Sequence, residues 1–215
     1  MNKKIYRSIL SRLFLSGAVM VLPALSCSAE VTVHFLDVGQ GLSVLIASDG
    51  HYALYDGGDR DYSSRVVSYL QDAGVQTLDY VIASHYDADH INGLVGVLNN
   101  FPAETVLGPD YTRDTSVYRS FQNAAAAQDL TVEHPAVGST YALGTSTFTV
   151  LAPSSDDYRD SNDFSIVLLL EEGEDSFLLT GDAGAVSEAE ICNSGIDPAC
   201  DVLCVSHHGS ASATT

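Results

Sequence analysis

The chain has 215 residues, with nine Lys and Arg against 28 Asp and Glu, a formal net charge of −19. Lys3, Lys4, Arg7 and Arg12 all lie in the first 29 residues, which hold no acid, so the remainder carries five arginines, no lysine and all 28 acidic residues, a formal −23. That balance excludes a protein that grips long nucleic acid along a broad basic groove, and leaves a locally positive site as the way to engage a phosphate.

The first element in chain order is a targeting segment. A basic start precedes the apolar run "LFLSGAVMVLPAL", which is too short to span a bilayer and is followed by small residues in "SCSA" ahead of Glu30. Residues 1–29 therefore read as a secretory signal cleaved after Ala29, which implies a secreted or periplasmic protein. Lipidation of Cys27 after cleavage at Ser26 is the rival reading, although Ala24 stands where lipoprotein signals usually carry Leu. No membrane-spanning segment is expected after the signal.

Residues 30–215 suffice for one well-buried domain and contain no linker or repeat. Apolar and β-branched runs predict strands at "VTVHFLDV", "LSVLIAS", "HYALYDGG", "LDYVIAS", "ETVLG", "FTVLAP", "FSIVLLLEE", "DSFLLTGD" and "DVLCVSHHG". Helical patterns fall at "SSRVVSYLQDAG", "INGLVGVLNN", "TSVYRSFQNAAAAQDL" and "AVSEAEICNSG". Some strands are joined by short turns and others lead into helices, so a mixed sheet system with helices on its outer faces fits better than a doubly wound parallel sheet. Three cysteines remain after the signal. "CNSGIDPAC" is a loop that Cys192 and Cys200 could close in an oxidising compartment, and Cys204 reads as a buried thiol.

Four predicted strands end in ionisable side chains: Asp56 after "YALY", His85 after "DYVIAS", Asp182 after "FLLTG", and His207 with His208 after "VLCVS". Strand ends of one fold can bring such residues together across a large sequence separation. In "HYDADH" a tight loop could turn His85 and Asp87 toward one metal ion and Asp89 and His90 toward a second, with Asp182 bridging and His207 adding a nitrogen. Each residue has a structural alternative: Asp56 and Asp182 precede or follow glycine as turn formers do, and His34, His51 and His134 read as surface or packing residues. Crowding four polar groups at a strand end, however, costs desolvation unless a positive charge compensates.

The run "FLDVGQGLSVLI", "LYDGG", "SHYDADHINGL", "NDFSIVLLL", "LLTGDAG" and "VSHHGS", in that order, resembles the metallo-β-lactamase superfamily, and within it the hydrolase domain of the competence DNA-uptake channel family ComEC. The resemblance implies an α/β (α+β) αββα sandwich over residues 30–215 with metals at one edge of two facing sheets. By position it implies His85, Asp87, Asp89, His90, Asp182 and His207 as metal ligands for two divalent ions, Zn or Mn. Asp56 would order the ligand loop, and Asn162 would be a weak ligand or a substrate contact. Where the family pattern is H-x-H-x-D-H, this chain has Asp87 in place of the middle histidine, a harder ligand that shifts preference from zinc toward manganese.

The expected reaction is cleavage of small or exposed phosphodiesters by metal-activated water, with Asp89 among the catalytic residues and His208 assisting the leaving group. Hydrolysis of a lactam, lactone or thioester, or a non-catalytic metal-binding fragment, are the alternatives. Family members continue beyond "SHHGSASATT", so the resemblance also implies either a fragment or a domain lacking an edge of its second sheet.

Overall fold

The computed structural model describes residues 30–214; the expected signal at residues 1–29 lies outside them. Two sheets face each other. The first runs in the order β1 (Val31–Phe35), β2 (Val44–Ser48), β3 (His51–Tyr55), β4 (Leu78–Ile82), β5 (Ala103–Leu107) and β6 (Val132–Glu133). Its first three strands are antiparallel, and β3 to β6 are parallel. The second sheet has the order β11 (Val202–Cys204), β10 (Asp175–Leu179), β9 (Val167–Glu172), β8 (Ser146–Ala152) and β7 (Thr140–Leu143), antiparallel except for the β10–β11 pair.

Alternation along the strands explains why there are four layers, since successive side chains point to opposite faces of a sheet. On β2, Val44 and Ile46 face the second sheet while Leu45 faces outward; on β9, Leu168 and Leu170 face inward while Val167 and Leu169 face outward. The inner layer is completed by Tyr55, Ile82, Leu107, Phe148 and Leu179. Each such fully buried Leu, Ile or Phe contributes roughly 1.5–3 kcal/mol relative to exposure.

Helices α1 (Ser63–Asp72), α2 (Ala88–Leu98) and α3 (Ser116–Ala126) cover the outer face of the first sheet, through Val66 and Leu70, through Ile91, Leu94 and Val97, and through Phe121, Ala124 and Ala125. Helix α4 (Ala185–Asn193) covers the second sheet through Ile191. This is the expected αββα sandwich. Among the described residues no helix is long and apolar enough to cross a membrane.

Three expectations are corrected. β6 and β7 were not foreseen, being only two and four residues long. Asp89 and His90 lie in the first turn of α2, not in a loop, because Asp87 takes the extended N-cap position and the helix begins at Ala88. Cys192 and Cys200 do not close a loop: both are free thiols, as is Cys204. Burial raises the Cys204 thiol to about 11, helped by Asp56 and Asp182, consistent with an unreactive group.

Candidate metal centre

Asp56, His85, Asp182 and the His207–His208 pair follow β3, β4, β10 and β11 respectively, two strands from each sheet, so the site lies where one edge of the sandwich opens. Close backbone contacts hold these ends in place. Gly57 N–H donates to the His90 carbonyl at 2.7 Å and Gly93 N–H to the Gly58 carbonyl at 3.0 Å. A Cβ on Gly93 would stand 1.7 Å from the Gly57 oxygen, so only glycine lets α2 approach the Asp56 turn this closely. Across the sandwich Gly181, at φ +54°, abuts Ser84, and His207 N–H donates to the Gly181 carbonyl at 3.1 Å. Asp56, His207 and His208 themselves adopt left-handed backbone, with φ of 59°, 48° and 53°. Such conformations are uncommon outside glycine and are often found at functional sites.

Beneath the site is a buried hydrogen-bond network. Asp56 Oδ1 accepts from the Ser84 amide at 2.8 Å, and Asp56 Oδ2 accepts from Ser84 Oγ at 2.7 Å. His90 Nδ1 is 2.8 Å from Asp56 Oδ2, and His85 Nδ1 is 3.1 Å from Ser84 Oγ. A carboxylate can only accept, and the Ser84 hydroxyl already donates its one proton, so both imidazoles carry hydrogen on Nδ1 and turn Nε2 the other way. Asp56 thus ties the end of β3 to Ser84 after β4 and to His90 on α2. Ser84, which does as much, was missed; its one sequence signal is adjacency to His85.

Above that network His85 Nε2, His90 Nε2 and Asp182 Oδ1 are buried and have no hydrogen-bond partner. Ligand atoms of these three residues lie within 4.8 Å of one another, and so do those of Asp89, His90 and His208. Asp182 links the groups: Oδ1 lies 3.3 Å from His90 Nε2, and Oδ2 lies 3.4 Å from His208 Nε2 and 3.8 Å from His207 Nε2. Native interiors leave few such atoms unpaired, so three converging orphans with two imidazole nitrogens and a carboxylate fit a divalent cation.

The electrostatics agree. Burial disfavours a charged His90, yet Asp56 and Asp182 push it up to about 10. Asp182 and Asp89 push His208 up to about 9. Burial opposes ionisation of Asp182, but His208 and His90 hold it well below the ordinary carboxylate range. The carboxylates demand positive charge here, which protons supply and a metal would replace.

The remaining expected residues sit farther out. Asp87 Oδ2 lies 3.8 Å from His85 Nε2, while its Oδ1 lies 2.9 Å from Arg113 Nη2. Asn162 Nδ2 lies 3.3 Å from His207 Nδ1. His208, foreseen as an acid for the leaving group, stands among the ligand atoms, 3.4 Å from Asp89 Oδ2.

A sequence profile described as the Metallo-beta-lactamase superfamily matches residues 36–215. The chain is similar to Recombination protein 2 of Haemophilus influenzae, 34% identical over 188 residues that cover 85% of this chain and 22% of that protein. It is also similar to ComE operon protein 3 of Bacillus subtilis, 28% identical over 231 residues that cover 95% of this chain and 30% of that protein. The chain thus spans less than a third of these relatives. Among solved structures, metallo-beta-lactamase SMB-1 bound to 2-mercaptoethanesulfonate aligns with a TM-score of 0.59 at 16% identity, covering 82% of this chain and 76% of that one. The metallo-beta-lactamase MIM-1 of Novosphingobium pentaromativorans aligns at 0.53 and 17%, covering 81% and 74%. At such identity the likeness is one of fold.

Proposed function

This chain belongs to the metallo-beta-lactamase superfamily, and from that premise we propose that it is an exported metal-dependent hydrolase that cleaves phosphodiester bonds. The observation that carries the reading is the convergence of the unpartnered atoms His85 Nε2, His90 Nε2 and Asp182 Oδ1. His90 Nε2 has one lone pair and serves one ion only. We assign it with Asp89 and His208 to one position, and His85, Asp87 and His207 to the other, with Asp182 shared because its Oδ2 lies 3.4 Å from His208 Nε2 and 3.8 Å from His207 Nε2. Bound there, two divalent ions supply an activated water at neutral pH and stabilise charge on the attacking and leaving oxygens.

The chain's own residues set the conditions for that chemistry. Ser84 and Asp56 fix the imidazole tautomers, which keeps Nε2 free for coordination. Asp87 in the ligand run supplies a hard oxygen where a histidine would be softer, which supports manganese alongside zinc. The name of the Haemophilus relative, Recombination protein 2, supports a phosphodiester substrate. The formal −23 of residues 30–215 favours small or exposed phosphodiesters over long nucleic acid. The basic and apolar composition of residues 1–29 supports secretion or a periplasmic location.

The test uses purified protein and its Asp89→Ala variant, with bound metal measured by elemental analysis and hydrolysis of an aryl phosphodiester followed in manganese, zinc or chelator. Turnover that requires metal and is lost in the variant is the expected result. Two bound ions with turnover only of a lactam, lactone or thioester would replace the substrate assignment, and folded protein that binds no metal would remove the site.

A further inference from the structure

Arg113 stands at the mouth of this site and has no role in the reading above. It lies on the loop between β5 and α3, which is anchored at several points. Tyr111 Oη accepts from the Tyr86 amide at 2.9 Å, and the Tyr111 ring stacks on Phe164 of the opposite half of the sandwich, with centroids 4.4 Å apart. Tyr86 Oη donates to the Pro109 carbonyl at 2.8 Å, and Thr115 caps α3. The guanidinium is therefore presented from a fixed base.

Its one ion pair is with Asp87, at 2.9 Å from Oδ1. That oxygen is buried and accepts no hydrogen bond, so charge holds the pair without a directional lock. The Arg113 side chain is 34% exposed and faces a cleft of about 690 Å³ shared with Arg60, Asp59, Asp61, Asp89 and Asn92. Arg65 and Arg119 pair with carboxylates elsewhere, Asp37 and Asp114. Two of the five arginines in residues 30–215 thus line the cleft that leads to the ligand atoms, although the acids around them outnumber them.

We propose that Arg113 is the anion-receiving residue of the site, paired with Asp87 in the metal-free protein and released to bind a substrate phosphate oxygen once a cation takes that carboxylate. The proposal rests on the metal-site reading and deepens it. Before metal loading, the cleft's carboxylates repel a phosphate and hold the arginine. After loading, the cations would offset the site's carboxylate charge and the guanidinium would lose its partner. Its planar donors can then grip a phosphate in two places. The order is metal first and substrate second, which lets so acidic a protein accept a phosphodiester.

The test compares the full chain with Arg113→Gln and Arg113→Lys, without turnover. In chelator competition the Gln variant should bind one Mn²⁺ on the order of tenfold tighter, because a neighbouring positive charge and a competitor for Asp87 are gone, and should leave the second ion unchanged. In calorimetry, inorganic phosphate should bind the zinc-loaded wild type, bind the Gln variant on the order of tenfold more weakly, and be partly restored by Lys. Metal-free wild type should take up no phosphate. Unchanged affinity for both ions, weaker metal binding in the Gln variant, or equal phosphate binding with and without metal would overturn the proposal while leaving the metal site standing. Wild type that binds no metal removes both.

Discussion

The two halves of the candidate site are built differently. In the inner half, Asp56, His85 and His90 have no solvent exposure and share Ser84 as a hydrogen-bonding hub. In the outer half, the side chains of Asp87, Asp89, His207 and His208 are 26–34% exposed; His208 meets Asp89 at 3.4 Å, while Asp87 and His207 reach His85 and Asp182 at 3.8 Å, largely through charge. The inner half is therefore part of the core as well as of the site, and damage there should be read in stability and metal content together. The outer half should lose metal and keep its fold.

The largest effect is expected at His90, which belongs to both ligand groups. His90→Ala leaves the buried Asp56 carboxylate without its imidazole partner, a loss that typically costs about 3 kcal/mol. Denaturant unfolding should show that loss, and elemental analysis should find one ion lost per chain. Full stability with two ions retained would erase the distinction between the halves.

Asp56→Ala should come next. It strips the Ser84 amide of its acceptor and frees both imidazoles to turn. A buried donor left unpaired costs about 2 kcal/mol, and loss of an orienting carboxylate lowers metal affinity roughly 10–100-fold. Chelator competition at matched folded concentration separates the two contributions; an affinity equal to wild type would mean that Asp56 supports the fold alone.

The outer half offers a sharper discrimination. His208→Ala should lose one ion while the unfolding midpoint moves less than in His90→Ala, because the His208 side chain is 26% exposed and Asp182 keeps His90 at 3.3 Å. His207→Ala, whose Nε2 is 3.8 Å from Asp182, should keep two ions and bind one of them more weakly. If the two variants exchange behaviours, His207 is the stronger ligand of the two, as its position in the family motif implies.

That pair also marks how far the sequence could be read. The layers were legible because β2 and β9 are continuous apolar runs, as strands buried on both faces are, and the site was legible because four strands end in Asp or His. Choosing between adjacent histidines was not, since both adopt left-handed backbone and both rings reach Asp182 Oδ2, at 3.8 and 3.4 Å. Ser84, Tyr111 and Arg113 were invisible for a related reason. Their contacts with Asp56, Tyr86 and Asp87 join residues more than 20 positions apart, and no local periodicity encodes them. The α2 boundary was missed because Asp89 and His90 were read as loop ligands, although Asp87 is a residue type that favours an N-cap. β6 and β7 lie at or toward sheet edges and are only two and four residues long.

The smallest effect lies outside both halves and calibrates them. His51 on β3 is about half exposed and sits 2.6 Å from Asp79 Oδ1 on β4. The Asp79 hydrogen bond, and then its charge, raise the His51 pKa above the ordinary value of 6.5. A raised folded pKa means that the pair's contribution is fully present below about pH 6.5, the unfolded value, and is lost as pH rises through the folded one. Asp79→Asn should return His51 to the ordinary range in a proton NMR titration. The variant should fall short of wild type most clearly at pH 5.5, and the gap should narrow by pH 9 as wild-type His51 gives up its proton. Exposure keeps the difference small. A gap that stays constant with pH would show that Asp79 acts mainly through the Tyr52 amide, from which it accepts at 2.9 Å and which does not titrate. In that event the β3–β4 edge, like the inner half of the site, is held by backbone hydrogen bonding rather than by charge.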